Sequence, residues 1–131
     1  MLSIRSAWIR ERMAAPTGSH RPRRPCAGTR AASVWHPAND PTFRSAFVSD
    51  LRTADSGIFY YNNPNNLEFL LKVLNGCPLN NNYWVFFAAT TNVEFTVTVT
   101  DTENGAVKVY TNPQGQSADA VTDTEAFATC P

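Results

Sequence analysis

A small antiparallel β-sandwich of immunoglobulin-like appearance is the fold class that this 131-residue sequence predicts. Three observations carry that expectation. Residues 93–100 read Val-Glu-Phe-Thr-Val-Thr-Val-Thr, a strict period of two that suits a half-buried strand and excludes a helix. Short apolar runs recur between clusters of Asn, Gly and Pro, and no stretch reads as a convincing helix. The composition, 43% hydrophobic and 17% charged, suits one small domain with a modest core. It excludes a multidomain enzyme, a collagen-like repeat and a wholly disordered chain.

The zero net charge conceals two chemically different parts. Residues 1–40 carry seven arginines against Glu11 and Asp40, a balance of +5, with no lysine and the run Arg-Pro-Arg-Arg-Pro at 21–25. Residues 41–131 carry Arg44, Arg52, Lys72 and Lys108 against nine acids, a balance of −5. A basic stretch with few grouped apolar residues cannot bury enough surface to offset its ordering entropy. Residues 1–40 are therefore expected to be a disordered segment, arising from a mis-assigned start or a frameshift, and residues 41–131 the sandwich module. Residues 1–9 could begin at most a short helix. They lack the apolar core of a secretory signal and fall far short of a membrane span.

Strand signals then follow in order. Residues 43–49 give a faint one and 57–61, Gly-Ile-Phe-Tyr-Tyr, a clearer one. After the break Asn62-Asn63-Pro64-Asn65-Asn66, residues 67–74 set Leu67, Phe69, Leu71 and Val73 on one face, with Glu68, Leu70, Lys72 and Leu74 on the other. Asn75-Gly76 predicts a tight turn through positive backbone angles. Residues 83–89 are apolar on both faces, which predicts a central strand covered on both sides, with Trp84, Phe86 and Ala88 facing one way. The loop 101–105 predicts a hairpin between 93–100 and 106–110, with Val107 and Val109 turned inward. Beyond the turn 112–115 the tail is polar with one anchor, Phe127.

The pieces 55–59, 67–77, 83–86, 92–101, 105–108 and 123–127 keep an order and spacing that resembles an uncharacterised β-rich module, recurring near the C-terminus of predicted secreted or surface proteins of bacteria. The resemblance spans about Ser45 to Pro131. It implies a sandwich but no activity, ligand or catalytic residue. Members of that group begin with further strands and a Trp-bearing apolar stretch before the equivalent of Phe43, where this chain has its Arg-rich region. That departure predicts an incomplete sandwich with an open edge, prone to pair with another chain.

Cys77 and Cys130 are the expected disulfide, tying the tail to the sheet, and the extracellular character of the module favours it; Cys26 is expected to be unpaired. No Cys-x-x-Cys spacing suggests zinc. The two histidines, His20 and His36, both precede the module, so it offers no Ser-His-Asp or Cys-His arrangement. Asp101 and Glu103 make a partial match to a calcium loop, for which a solvated hairpin turn is the favoured alternative. Asp119, Asp123 and Glu125 are read as a wet acidic tail. Tyr60, Tyr61 and Tyr110 are the candidate ligand-binding residues of an aromatic platform.

The function these features favour is a non-catalytic, extracellular or cell-surface accessory or interaction module, with no cofactor and a carbohydrate or protein ligand. Two alternatives stand beside it. One is a small secreted binding or inhibitor protein acting through an Asn-rich loop, 62–66 or 80–82. The other is nucleic-acid binding by the Arg-rich tail.

Overall fold

The computed structural model describes residues 29–131, which form two antiparallel sheets packed face to face. In chain order the elements are β1 (Thr29–His36), β2 (Arg44–Ser45), β3 (Phe47–Arg52), β4 (Ser56–Tyr60), β5 (Leu67–Asn75), α1 (Cys77–Asn80), β6 (Tyr83–Ala89), β7 (Glu94–Asp101), β8 (Val107–Asn112) and β9 (Val121–Phe127). One sheet has the order β2-β1-β7-β8 and the other β3-β4-β5-β6-β9. Strands β3 to β6 form a meander. The chain then crosses to the four-stranded sheet for the hairpin β7–β8 and returns as β9 beside β6. The predicted β-sandwich is thus observed.

Alternation along each strand builds the core. From β1 come Ala31 and Trp35, and from β7 Phe95, Val97 and Val99. They meet Phe59 of β4, Leu71 and Val73 of β5, and Val85 and Phe87 of β6. Phe69 sits at the centre, stacked on Phe59 at 4.5 Å between ring centroids and on Phe95 of the opposite sheet at 5.9 Å. Full burial of each such side chain contributes about 1.5–3 kcal/mol, so this aromatic column holds the two layers together.

The boundary expected at residue 40 is corrected by β1, which lies within the sandwich and pairs with β7 over eight positions, from Thr29 with Asp101 to His36 with Glu94. Its inward residues Ala31, Ser33 and Trp35 do alternate, but two of the three are small and the arginines upstream mask the pattern. A Trp-bearing strand therefore precedes Phe43 after all. The expected open edge is likewise not at β7, because β1 covers it. The edges that remain are blunted: β2 has two residues, β3 and β9 carry register shifts, and β8 turns Lys108 inward. The chain up to Gly28, with Cys26, His20 and the other six arginines of the expected tail, lies outside the described residues.

Several local expectations also change. Residues 43–49 split into β2 and β3, which belong to different sheets, with Ala46 buried at the corner and its N–H donating to the Ser33 carbonyl. In β8 the register sets Lys108 opposite Val99 and Tyr110 opposite Val97, so these two face inward while Val107 and Val109 are exposed. Phe59 pairs with Phe69 but Tyr60 with Leu67, a bulge that leaves Glu68 unpaired, exposes Leu67 and tucks Glu68 into the end of the sandwich. The polar tail is in fact β9, with Phe127 opposite Tyr83. The outward face of β6 is not covered by a second layer among the described residues; Trp84 and Phe86 are half-buried there.

The tight turn expected at Asn75-Gly76 is instead the single turn α1, closed by Asn81 in the left-handed conformation at φ 61°. Gly76 has an ordinary φ of −91°. It lacks a side chain for another reason: a Cβ there would collide with the Trp84 indole and the Asn82 carbonyl. Gly76→Ala must displace the indole or shift the loop backbone. The expected cost is about 1–3 kcal/mol, as for overpacking elsewhere, read as a lower denaturation midpoint in urea.

Candidate ligand-binding clefts and faces

The three tyrosines expected to share a platform are separated by the fold. Tyr61 follows β4 into the core, where its ring stacks on Trp35 with centroids 4.6 Å apart. Tyr60, on the outer face of the five-stranded sheet, is half-buried and stacks on Phe47. Tyr110 faces the opposite edge, donating a 2.8 Å hydrogen bond from its hydroxyl to Asp123 Oδ2 across the gap between the sheets. Burial and this bond raise its pKa well above that of a free phenol.

Tyr61 is corrected outright as a ligand-binding candidate. Among the described residues its hydroxyl is buried without a hydrogen-bond partner, as are Ser33 Oγ and Trp35 Nε1, and burial with the nearby Glu68 charge pushes its pKa up. An orphaned buried hydroxyl costs about 1–3 kcal/mol of desolvation. Tyr61→Phe is therefore expected to leave stability unchanged or raise the melting temperature by a few degrees, with a drop of more than about 5 °C counting against it.

Tyr110 does belong to a cleft. Between β8 and β9 the sandwich opens into a cavity of about 280 Å³ lined by Phe87, Phe95 and Tyr110, with Thr111, Asn112, Gln116, Ser117 and Asp119 among its polar residues. Phe87 meets Tyr110 edge-on at 5.4 Å. The loop from Pro113 to Ala120 that roofs this cleft is pinned: Gly115 N–H donates to the Asn92 carbonyl, Ala118 N–H to Thr91, and Asn112 Nδ2 to the carbonyls of Val93, Pro113 and Gln116. On the other side of the same loop lies a wider, polar depression of about 500 Å³ lined by Asn66, Glu68, Thr90, Thr91, Asn92 and Ser117. Glu68 accepts from Asn66 Nδ2 at 2.8 Å, and burial raises its pKa while the Thr91 bond lowers it. Strand periodicity gave no sign of this residue, because only the bulge turns it there.

The acidic candidates have structural occupations. Asp101 is buried at the end of β7; one oxygen accepts from the Glu103 N–H and the other from the Thr129 hydroxyl at 2.7 Å. It fastens the hairpin loop to the tail, while Glu103 is exposed. The partial calcium match is corrected on that ground: the carboxylate of Asp101 is committed to two internal donors. Asp123 bonds Tyr110 and lies 3.8 Å from Lys108, so it is a link between sheets rather than part of a wet tail. Asp119 and Glu125 remain exposed. Among the described residues no group of three or more His, Cys, Asp or Glu is placed to hold a metal ion.

His36 ends β1 facing Glu94, with Nε2 2.8 Å from the carboxylate and Nδ1 donating to the Pro37 carbonyl at 3.0 Å. That carbonyl and then the Glu94 charge raise its pKa, partly offset by desolvation. The stabilisation is present in full below the unfolded value of about 6.5 and is lost as pH rises through the higher folded value. A proton-NMR titration is expected to place His36 above about 6.5, and Glu94→Gln to lower it. An unchanged titration in the variant would contradict the pairing.

The expected Cys77–Cys130 bond is formed, with Cα atoms 5.8 Å apart. Both Asn-rich loops are largely exposed, the first bonded within itself and the second bonded to β6 and β9. Asn63 Oδ1 accepts from the Asn65 N–H, and Asn80 uses Oδ1 for the Trp84 indole N–H and Nδ2 for the Thr124 carbonyl. No helix among the described residues is long and apolar enough to cross a membrane. No family model, no curated protein and no solved structure matches the chain.

Proposed function

We propose that the domain is a non-catalytic extracellular accessory or interaction module whose contact site is the edge cleft between β8 and β9. The observation that carries this reading is the composition of the cleft, the partly exposed Tyr110 ring over a floor of the buried Phe87 and Phe95, bordered by hydroxyl, amide and carboxylate groups on a pinned loop. Such a surface offers apolar contact to the flat face of a ligand and directional bonds to its edges without much loop ordering on binding. A carbohydrate or a protein loop suits it. The disulfide supports an oxidising compartment. So does the resemblance of about 45–131 to a module of secreted and surface bacterial proteins. The reading includes an immunoglobulin-like use of the sandwich, in which edges and sheet faces make the contacts.

The test is an amide-shift titration of the labelled protein against panels of soluble oligosaccharides and peptides. Saturable shifts at Tyr110, Gln116, Ser117 and Asp119, lost in Gln116→Ala, support the reading. Hydrolysis of any panel member that disappears in Asp123→Asn, or shifts that avoid this cleft, would overturn it.

A further inference from the structure

The outer face of the five-stranded sheet carries an arrangement that the edge cleft does not explain. Its three central strands present Ser56, Ile58 and Tyr60 from β4, Leu70, Lys72 and Leu74 from β5, and Trp84, Phe86 and Ala88 from β6. A solvent-facing sheet surface ordinarily alternates to polar residues; here one charge sits among apolar groups. That charge is Lys72. It lies opposite Phe86 in the register, its ammonium is 5.7 Å from the Phe86 ring, and no carboxylate lies within salt-bridge distance of it among the described residues.

Trp84 and Phe86 lie two positions apart on one strand, their rings inclined by only 16° and their centroids 5.9 Å apart. The indole is held from both ends of the α1 loop. Its N–H donates to Asn80 Oδ1, and Gly76 leaves the space that it occupies. A half-buried tryptophan given its own hydrogen bond and a glycine seat is a preorganised surface ring. On the far side of the strip, Thr122 of β9 stands opposite Phe86 and, like Thr124, is exposed.

We propose that this strip binds an oligosaccharide bearing carboxylates, a uronic-acid glycan, with a sugar against the Trp84 indole, which Phe86 backs by stacking, and a carboxylate on Lys72. The indole, steadied by its stacking on Phe86, suits the C–H face of one sugar, and the threonine hydroxyls suit hydroxyl edges. Charge complementarity selects the acidic glycan over a wholly apolar protein surface, since the latter would bury an ammonium with no counter-charge. The proposal deepens the reading of the domain as a binding module but uses a different surface from the edge cleft, so the two fail separately.

The test titrates the full chain calorimetrically with a hexuronate tetramer and with a neutral hexose tetramer of equal length. The expected result is saturable binding of the hexuronate, at least about tenfold tighter than the neutral sugar and weakened by salt. Lys72→Gln should erase that preference. Trp84→Ala should abolish binding to both sugars, and Trp84→Tyr, which keeps an aromatic face, should retain part of it if Trp84→Ala is poorly folded. Glu125→Gln, which removes an exposed acid from the adjoining strand β9, should strengthen hexuronate binding. Absence of saturable hexuronate binding, equal affinity for the two sugars, binding indifferent to Lys72→Gln, or binding of apolar peptides instead would overturn it. Amide shifts confined to Gln116 and Asp119 would overturn it while leaving the edge-cleft reading intact.

Discussion

Deleting residues 1–40 is expected to abolish cooperative unfolding, although the remainder keeps all of β2 to β9. The deletion removes β1, which hydrogen-bonds along the whole length of β7 and delivers Ala31 and Trp35 to the core at 0% and 5% exposure. Without it β7 becomes an edge strand, and the inward faces of Phe95, Val97 and Val99 lose their lateral cover. Losing a buried tryptophan alone costs about 3–5 kcal/mol. Losing the strand adds a ladder of backbone bonds on top of that, against a total stability of about 5–15 kcal/mol for domains in general. The deficit decides the outcome. Thermal circular dichroism should show a single transition for the full chain and a shallow, probe-dependent change for residues 41–131. Trp35→Ala in the full chain gives an independent reading, with a melting temperature lower by on the order of 20 °C. A cooperative transition of 41–131 within a few degrees of the full chain would mean that β1 is an accessory strand.

How far sequence reasoning reached depends on how strongly each segment obeys a single pattern. Residues 93–100 alternate without exception, so β7 was fully legible, and the short loop after it correctly forced an antiparallel partner. The same rule misled at β8. Val107 and Val109 are its most apolar residues, yet register opposes Lys108 to Val99 and turns the valines outward. An edge strand tolerates this, because an inward lysine there reaches Asp123 and discourages pairing with another chain. β1 is hard to read because alanine and serine carry most of its inward face and give a small hydrophobic contrast. A period-two count sets Glu68 on the face of Leu70, Lys72 and Leu74 because it cannot foresee a bulge. The sequence points to Gly76 for a positive backbone angle that it does not have. Its reason is a side chain eight residues onward, and no local rule contains that. The candidate site followed the same limits. A polar-tipped ring marks Tyr110 as a candidate, but the expected inward valines of β8 would set it on the outward face beside Lys108. The register turns it inward, and the cleft around it depends on β8 and β9 being edges of different sheets, a property of topology alone.

Reduction of the Cys77–Cys130 bond should lower the melting temperature by roughly 15–30 °C. The bond joins the start of α1 to the residue beside the described C-terminus, and it encloses β6 to β9 in a loop with a sequence separation of 53. Its main effect is on the unfolded chain. Closing a loop of that length removes conformational entropy worth about 4 kcal/mol in the chain-entropy model. In a domain of about 100 residues each kcal/mol moves the transition by roughly 4–8 °C. The native side loses little when the bond opens, because β9 stays paired with β6 through Phe127, Asp123, Thr122 and Val121, and Thr129 still bonds Asp101. Hydrogen exchange separates the two contributions. In the Cys77→Ala, Cys130→Ala double variant, slow exchange in β7 should scale with the lower global stability. Amides of β9 beyond Asp123, where the register with β6 shifts, should become fast through local fraying. A double variant that melts within about 3 °C of the oxidised protein would show that the enclosed strands already restrict the unfolded chain, and that the bond serves only to hold the tail.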